Sequence, residues 1–196
     1  MNCQSVCVDA LRLPRTFKQL VSGPLYSPAP RRMSSNANLI TLSSLKYVHP
    51  ATLGPLLLDP TEKAKVAVID VRDSDHIGGN IHGSTWVPLH QLEVKMPELL
   101  RTLRDKEKVI FHCMLSQQRG PKAALAYARA KQRADAKEAR EQTQSKEEAG
   151  DSTEQEKKES SPAQEVCVLE GGFGSWQARF GEDPRLTADY QPDLWF

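Results

Sequence analysis

A chain of 196 residues, 39% hydrophobic and 26% charged, has room for one domain of ordinary size. Its formal net charge of +1 gives no argument for nucleic acid or an anionic membrane surface as partner, and neither is expected. No run approaches the roughly 18 apolar residues of a membrane span.

Residues 1–36 read as a basic, disordered leader. Pro14, Pro24, Pro28 and Pro30 interrupt any sustained period, and Arg12, Arg15, Lys18, Arg31 and Arg32 face a single acid, Asp9. A basic, serine-containing, acid-poor stretch suits mitochondrial import through residues 1–32. A plain tail, or a start at Met33, is the alternative. Cys3 and Cys7 lie in this leader, and Cys113 and Cys167 lie in apolar segments. Their spacing is neither a disulfide framework nor a zinc site, so no metal is expected, and the setting reads as intracellular and reducing, cytoplasm and nucleus.

The domain is expected over 37–196. LKYV (45–48) is a short strand, and PATLGPLLLD (50–59) a short helix or turn. KVAVIDVRD (65–73) is a continuous β-branched run ending in polar residues, the pattern of a strand buried on both faces. STWVPL (84–89) is extended. Leu92, Met96, Leu99, Leu100 and Leu103 recur close to helical spacing over 90–104. KVIFHC (108–113) is a second buried strand, and GPKAALAYARAK (120–131) is a helix with Pro121 in its first turn. EVCVLEGG (165–172) is the last strand, followed by a short helix, FGSWQARF. Strands alternating with helices predict an α/β domain, with about five parallel strands and helices on both faces. Residues 132–164 interrupt the plan with a charged insert that has no apolar stripe; its first part extends the helix and the rest is expected to be disordered.

The stretch HCMLSQQRG (112–120) carries the chemistry. It lies at the carboxyl end of a buried strand, where doubly wound sheets bind ligands. It runs into a helix N-terminus, whose free N–H groups and dipole favour an anion. Met114, Leu115, Ser116, Gln117, Gln118 and Gly120 supply a loop whose amides can turn inward. Arg119 adds a planar two-pronged donor matched to an oxyanion. Cys113 is then expected at the bottom of the cup, where the same field favours the thiolate, as a nucleophile aimed at phosphorus or arsenic. Ser116 is placed to hydrogen-bond the thiolate or the anion. His112 points to the other side of the strand and reads as structural.

HCMLSQQRGPKAA resembles the signature of the rhodanese-fold phosphatases typified by the M-phase inducer phosphatases, and more closely their small fungal relatives and the yeast-type arsenate reductases. VIDVRD (68–73), HIGGNIHGSTWVP (76–88) and VLEGGFGSW (168–176) resemble further motifs of that family, in the same order. The resemblance implies a single rhodanese-like domain. It also implies a tyrosine or dual-specificity phosphatase working through a cysteinyl-phosphate at Cys113, with Arg119 and the loop amides on the phosphate. Asp70 and Arg72 would fix the loop and the sheet end, and His76, His82 and Gly83 a supporting turn. The alternative is an arsenate reductase that needs glutathione or another external thiol; the phosphatase needs no cofactor. The partner is accordingly a phosphoprotein or a small oxyanion. A sulfurtransferase has a loop one residue shorter, and a non-catalytic phosphate-binding module would not need the Cys–Arg pair.

The chain departs from the cell-cycle enzymes in two places. Loop positions that are acidic in those enzymes hold Met114 and Gln118 here. An amide gives no proton to a leaving alkoxide, so Asp73 or Asp75 supplies it, or the leaving group is a good one, such as an aryl oxygen. Val71 replaces the cysteine that can protect the nucleophile as a disulfide; Cys167 either substitutes for it or is simply a buried cysteine.

Overall fold

Two runs of apolar and β-branched residues organise the molecule. The computed structural model describes residues 39–148 and 164–195, with side chains of the long helix described to residue 141. The leader and residues 149–163 of the insert lie outside the described residues.

The runs form β2 (Val66–Asp70) and β5 (Lys108–His112), which pair in parallel with Asp70 opposite His112. β6 (Glu165–Leu169) pairs with the other edge of β5, and β1 (Lys46–Val48) lies outside it. β4 (Thr85–Trp86) closes the opposite edge against β2. The result is a five-stranded parallel sheet of order β1-β6-β5-β2-β4.

Alternation along the strands divides the core into two layers. Ile69, Val71, Val109, Phe111, Cys113 and Val168 face α3 (Leu92–Thr102) and the start of α4 (Arg119–Glu148), meeting Leu99, Ala123, Ala124 and Tyr127. Val68, Ile110, Cys167 and Leu169 face the other way, onto Leu53 and Leu57 of α1 (Pro50–Leu58) and Phe173 and Trp176 of α5 (Gly172–Phe180). The central strands are buried on both faces, as their composition predicts.

Two features differ from the sequence reading, and a third carries an expected element further. PTEKAK forms α2 (Pro60–Lys65), started by the Asp59 carboxylate accepting from Thr61 N at 2.9 Å, with Pro60 in the first turn. It buries none of its residues, so no apolar stripe announced it. β3 (Asn80–Ile81) and β7 (Thr187–Ala188) form a short antiparallel ribbon apart from the main sheet. The helix that opens the insert runs on to Glu148, stabilised by i,i+4 pairs such as Lys131–Asp135 at 3.2 Å.

Candidate active site

The site grows from the carboxyl end of β5. His112 ends the strand, residues 113–118 form the loop, and Arg119 opens α4. Cys113 is buried, 4% exposed. The loop turns back through Ser116, whose φ of 51° puts it in the left-handed region. That turn aims Ser116 N–H at Cys113 Sγ, 3.2 Å away. Ser116 Oγ is buried without a hydrogen-bond partner among the described residues, so of the two groups on Ser116 it is the backbone that reaches the sulfur.

The outer side of the loop is held by α5. Phe173 N donates to Cys113 O at 2.9 Å, and Gly174 N donates to Met114 O at 2.8 Å. These bonds tie two loop carbonyls to the start of α5. They require the backbone of α5 to approach the loop closely. Gly172 has φ 59°, and a Cβ there would lie 2.5 Å from Cys113 O. At Gly120 a Cβ would lie 3.2 Å from Ser116 Oγ, which explains the small residue in the first turn of α4.

Arg119 sits over the site but is not free. Its Nη1 donates to Asp75 Oδ1 at 2.6 Å, and its Nη2 donates to Asp75 Oδ2, a two-pronged pair. Nη1 also lies 3.3 Å from Asp73 Oδ2. The hydrogen bonds from Arg119 hold the Asp75 carboxyl down at about 2, against partial burial, and the guanidinium is itself pushed up. Burial pushes Asp73 up, but hydrogen bonds from His90 and Arg119 outweigh it and keep its pKa below the usual value. Both candidates for the missing proton donor are therefore carboxylates while Arg119 rests on them. Sequence spacing gave no sign of this pairing.

Asp70 and Arg72 form a fully buried ion pair, Nη2 to Oδ2 at 2.7 Å. Arg72 also donates to Ile77 O at 3.2 Å and Gly79 O at 2.8 Å, and its guanidinium stands 4.2 Å from the Phe173 ring centroid. The pair thus bolts the 77–79 turn and α5 to the sheet end; its hydrogen bonds and ion pairs go there rather than to loop 114–118. His112 lies on the Phe173 side, as alternation predicts, with Nδ1 3.8 Å from Asp70 Oδ1. Burial pushes its pKa down, opposed by Asp70, so His112 is neutral near pH 7. Trp86, half exposed, donates from Nε1 to Arg72 O at 2.8 Å and stacks on His76 at 4.6 Å, beside the site. Trp176, by contrast, is a core anchor.

Cys167 cannot stand in for a disulfide partner. It pairs with Ile110 in the register of β6 on β5, three residues before Cys113, and faces the opposite core layer. Among the described residues, no group of three or more His, Cys, Asp and Glu is placed to hold a metal, and no helix is long and apolar enough to cross a membrane.

Residues 55–179 match the rhodanese-like domain family. The chain belongs to that family. It is 33% identical over 169 residues to the CDC25-like phosphatase YCH1 of Saccharomyces cerevisiae, an alignment covering 79% of this chain and 97% of that protein. It is 32% identical to arsenate reductase 2.2 of Oryza sativa subsp. japonica, covering 68% of this chain and 82% of that one. Among solved structures it resembles Ygr203w, described as a yeast protein tyrosine phosphatase of the rhodanese family. The TM-score is 0.55 at 30% identity, over 81% of this chain and all of that one. This rhodanese-like domain thus has relatives named as phosphatases and as arsenate reductases.

Proposed function

We propose that this rhodanese-like chain is a cysteine-dependent phosphatase of the tyrosine or dual-specificity type, acting through a cysteinyl-phosphate. The observation that carries the reading is the convergence on one loop of the Cys113 sulfur, the Ser116 N–H directed at it, and the Arg119 guanidinium beyond. The Cys113 thiolate attacks phosphorus. Arg119 and the loop amides of Met114–Gly120 meet the charge that develops on the phosphoryl oxygens. Water then releases phosphate. No cofactor takes part. The substrate is a phosphoprotein or a smaller phosphate ester; nucleic acid and membrane have no part in it. A thiol nucleophile persists in a reducing compartment, which fits cytoplasm and nucleus.

A second reading, arsenate reduction, is favoured by one observation. The carboxylates beside Arg119 are held deprotonated, and attack on arsenate need not protonate an alkoxide. Glutathione or another external thiol would then complete the reduction.

The test is steady-state hydrolysis of p-nitrophenyl phosphate by the full chain and by Cys113→Ser. Turnover by the wild type and none by the variant is expected, and turnover by Cys113→Ser would sink the covalent mechanism. If neither hydrolyses the ester while the wild type reduces arsenate in the presence of glutathione, the second reading replaces the first.

A further inference from the structure

The loop between Cys113 and Arg119 contains no acid, yet an ester with a poor leaving group needs a proton donor. Arg119 points to where it is. An oxyanion binds a guanidinium through two parallel N–H donors. Asp75 holds the end-on fork of Arg119, the donors at Nη1 and Nη2. Asp75 and an oxyanion cannot both engage that fork.

We propose that Asp75 competes with the oxyanion for Arg119 and, once displaced, protonates the leaving oxygen. The proton step rests on the phosphatase reading; the competition does not.

Of the two carboxylates, Asp75 is the exchangeable one. Asp73 touches Arg119 only at 3.3 Å and is held independently by His90 Nδ1 at 3.1 Å. Asp75 also accepts from Asp73 N at 3.0 Å, a local bond that keeps its carboxyl at the site after the guanidinium leaves. Its side chain is 33% exposed, so a substrate can reach it. The charged and titratable groups around it are Arg119, the Asp73 carboxylate with His90 behind it, the neighbouring His76, and the Asp70–Arg72 pair that His76 touches.

Transfer of Arg119 to a bound dianion removes the hydrogen bonds that hold Asp75 ionised and places negative charge beside it. Both changes raise a carboxyl pKa, so anion binding draws one proton from solvent onto Asp75. The Cys113 thiolate then attacks phosphorus. The S–P bond forms, the bond from phosphorus to the leaving oxygen breaks, and that oxygen takes its electron pair and the Asp75 proton. Asp75, now a carboxylate, takes a proton from the water that attacks the cysteinyl-phosphate. The S–P bond breaks with its electron pair returning to sulfur, and phosphate departs. Arg119 returns to Asp75, which sheds its proton to solvent.

The test uses the full chain and two probes. Sulfate, a dianion throughout the working pH range, reports competition by calorimetric titration. Asp75→Asn should bind it about tenfold more tightly than wild type, which is about 1.4 kcal/mol, and Asp75→Ser should move the same way. Unchanged or weaker binding in both variants would overturn the competition. Phenyl phosphate and p-nitrophenyl phosphate report the proton. In Asp75→Asn, kcat should drop about 100-fold on phenyl phosphate, and far less on p-nitrophenyl phosphate, whose leaving group needs little protonation. An equal drop on both overturns the proton-donor role. If the wild type hydrolyses neither ester, the phosphatase reading and with it the proton step fall, while the sulfate titrations still decide the competition.

Discussion

Gly172 and Cys113 meet backbone to backbone: a side chain at Gly172 would begin 2.5 Å from the Cys113 carbonyl oxygen. The contact joins the Cys113 loop to α5 and uses a φ of 59° that side chains disfavour. Gly172→Ala should therefore lose about 2 kcal/mol or more of stability and disturb the loop. Urea denaturation and p-nitrophenyl phosphate turnover check both effects. A variant as stable and as active as wild type would mean that the loop does not depend on this approach.

Arg72 and Asp70 are both fully buried. Removing one partner leaves a buried charge without compensation. Arg72→Met should cost about 3–5 kcal/mol, measured by urea denaturation. The pair also anchors the turn at 77–79, so backbone amide exchange there should speed up. A loss below about 1 kcal/mol would place the pair among those that contribute little.

Cys167 lies on the opposite core layer from Cys113, and burial pushes its thiol up to about 11. Oxidation of Cys113 by peroxide should therefore proceed without a Cys113–Cys167 disulfide. Peptide mapping by mass spectrometry after mild peroxide treatment tests this. Cys167→Ser should leave the rate of inactivation unchanged, and a mapped Cys113–Cys167 bridge would contradict the register.

Acid should weaken the fold in two windows. His112 has a folded pKa below the ordinary 6.5, mainly through burial. The unfolded chain then binds the proton more readily, so stability drops as pH goes below 6.5. His112→Gln should flatten that slope between pH 6.5 and 5 in urea denaturation series. A wild-type stability independent of pH over that range would show that His112 accepts its proton without opening the core. Asp75 behaves in the lower window. Its pKa falls from the ordinary 3.8 to about 2 on folding, so its contribution is fully present above 3.8 and is lost as pH falls through 2. Partial exposure reduces the size of that second effect.

The main sheet was legible because its strands are written as continuous β-branched runs, which only burial on both faces explains. KVAVIDVRD became β2, KVIFHC became β5 and EVCVLEGG became β6, each within a few residues. α2 was missed because PTEKAK buries nothing and its signal was a cap rather than a stripe. The β3–β7 ribbon was missed because each strand has two residues and its partner lies more than a hundred positions away.

The loop was legible for a local reason. A strand end, a left-handed turn and a helix start are consecutive in the chain, so residues 112–120 carry the placement of Cys113 and Arg119 by themselves. What those residues touch was decided elsewhere. The Arg119–Asp75 pair joins positions 44 apart. Asp75 reaches Arg119 because β2 and β5 lie side by side with their carboxyl ends level, which brings the segment after each strand to the same end of the sheet. The face on which Cys167 lies follows from strand register in the same way. Local sequence specifies a motif through short-range geometry; the charges and backbone groups that surround it are brought by distant segments, and only the packed sheet sets their distances.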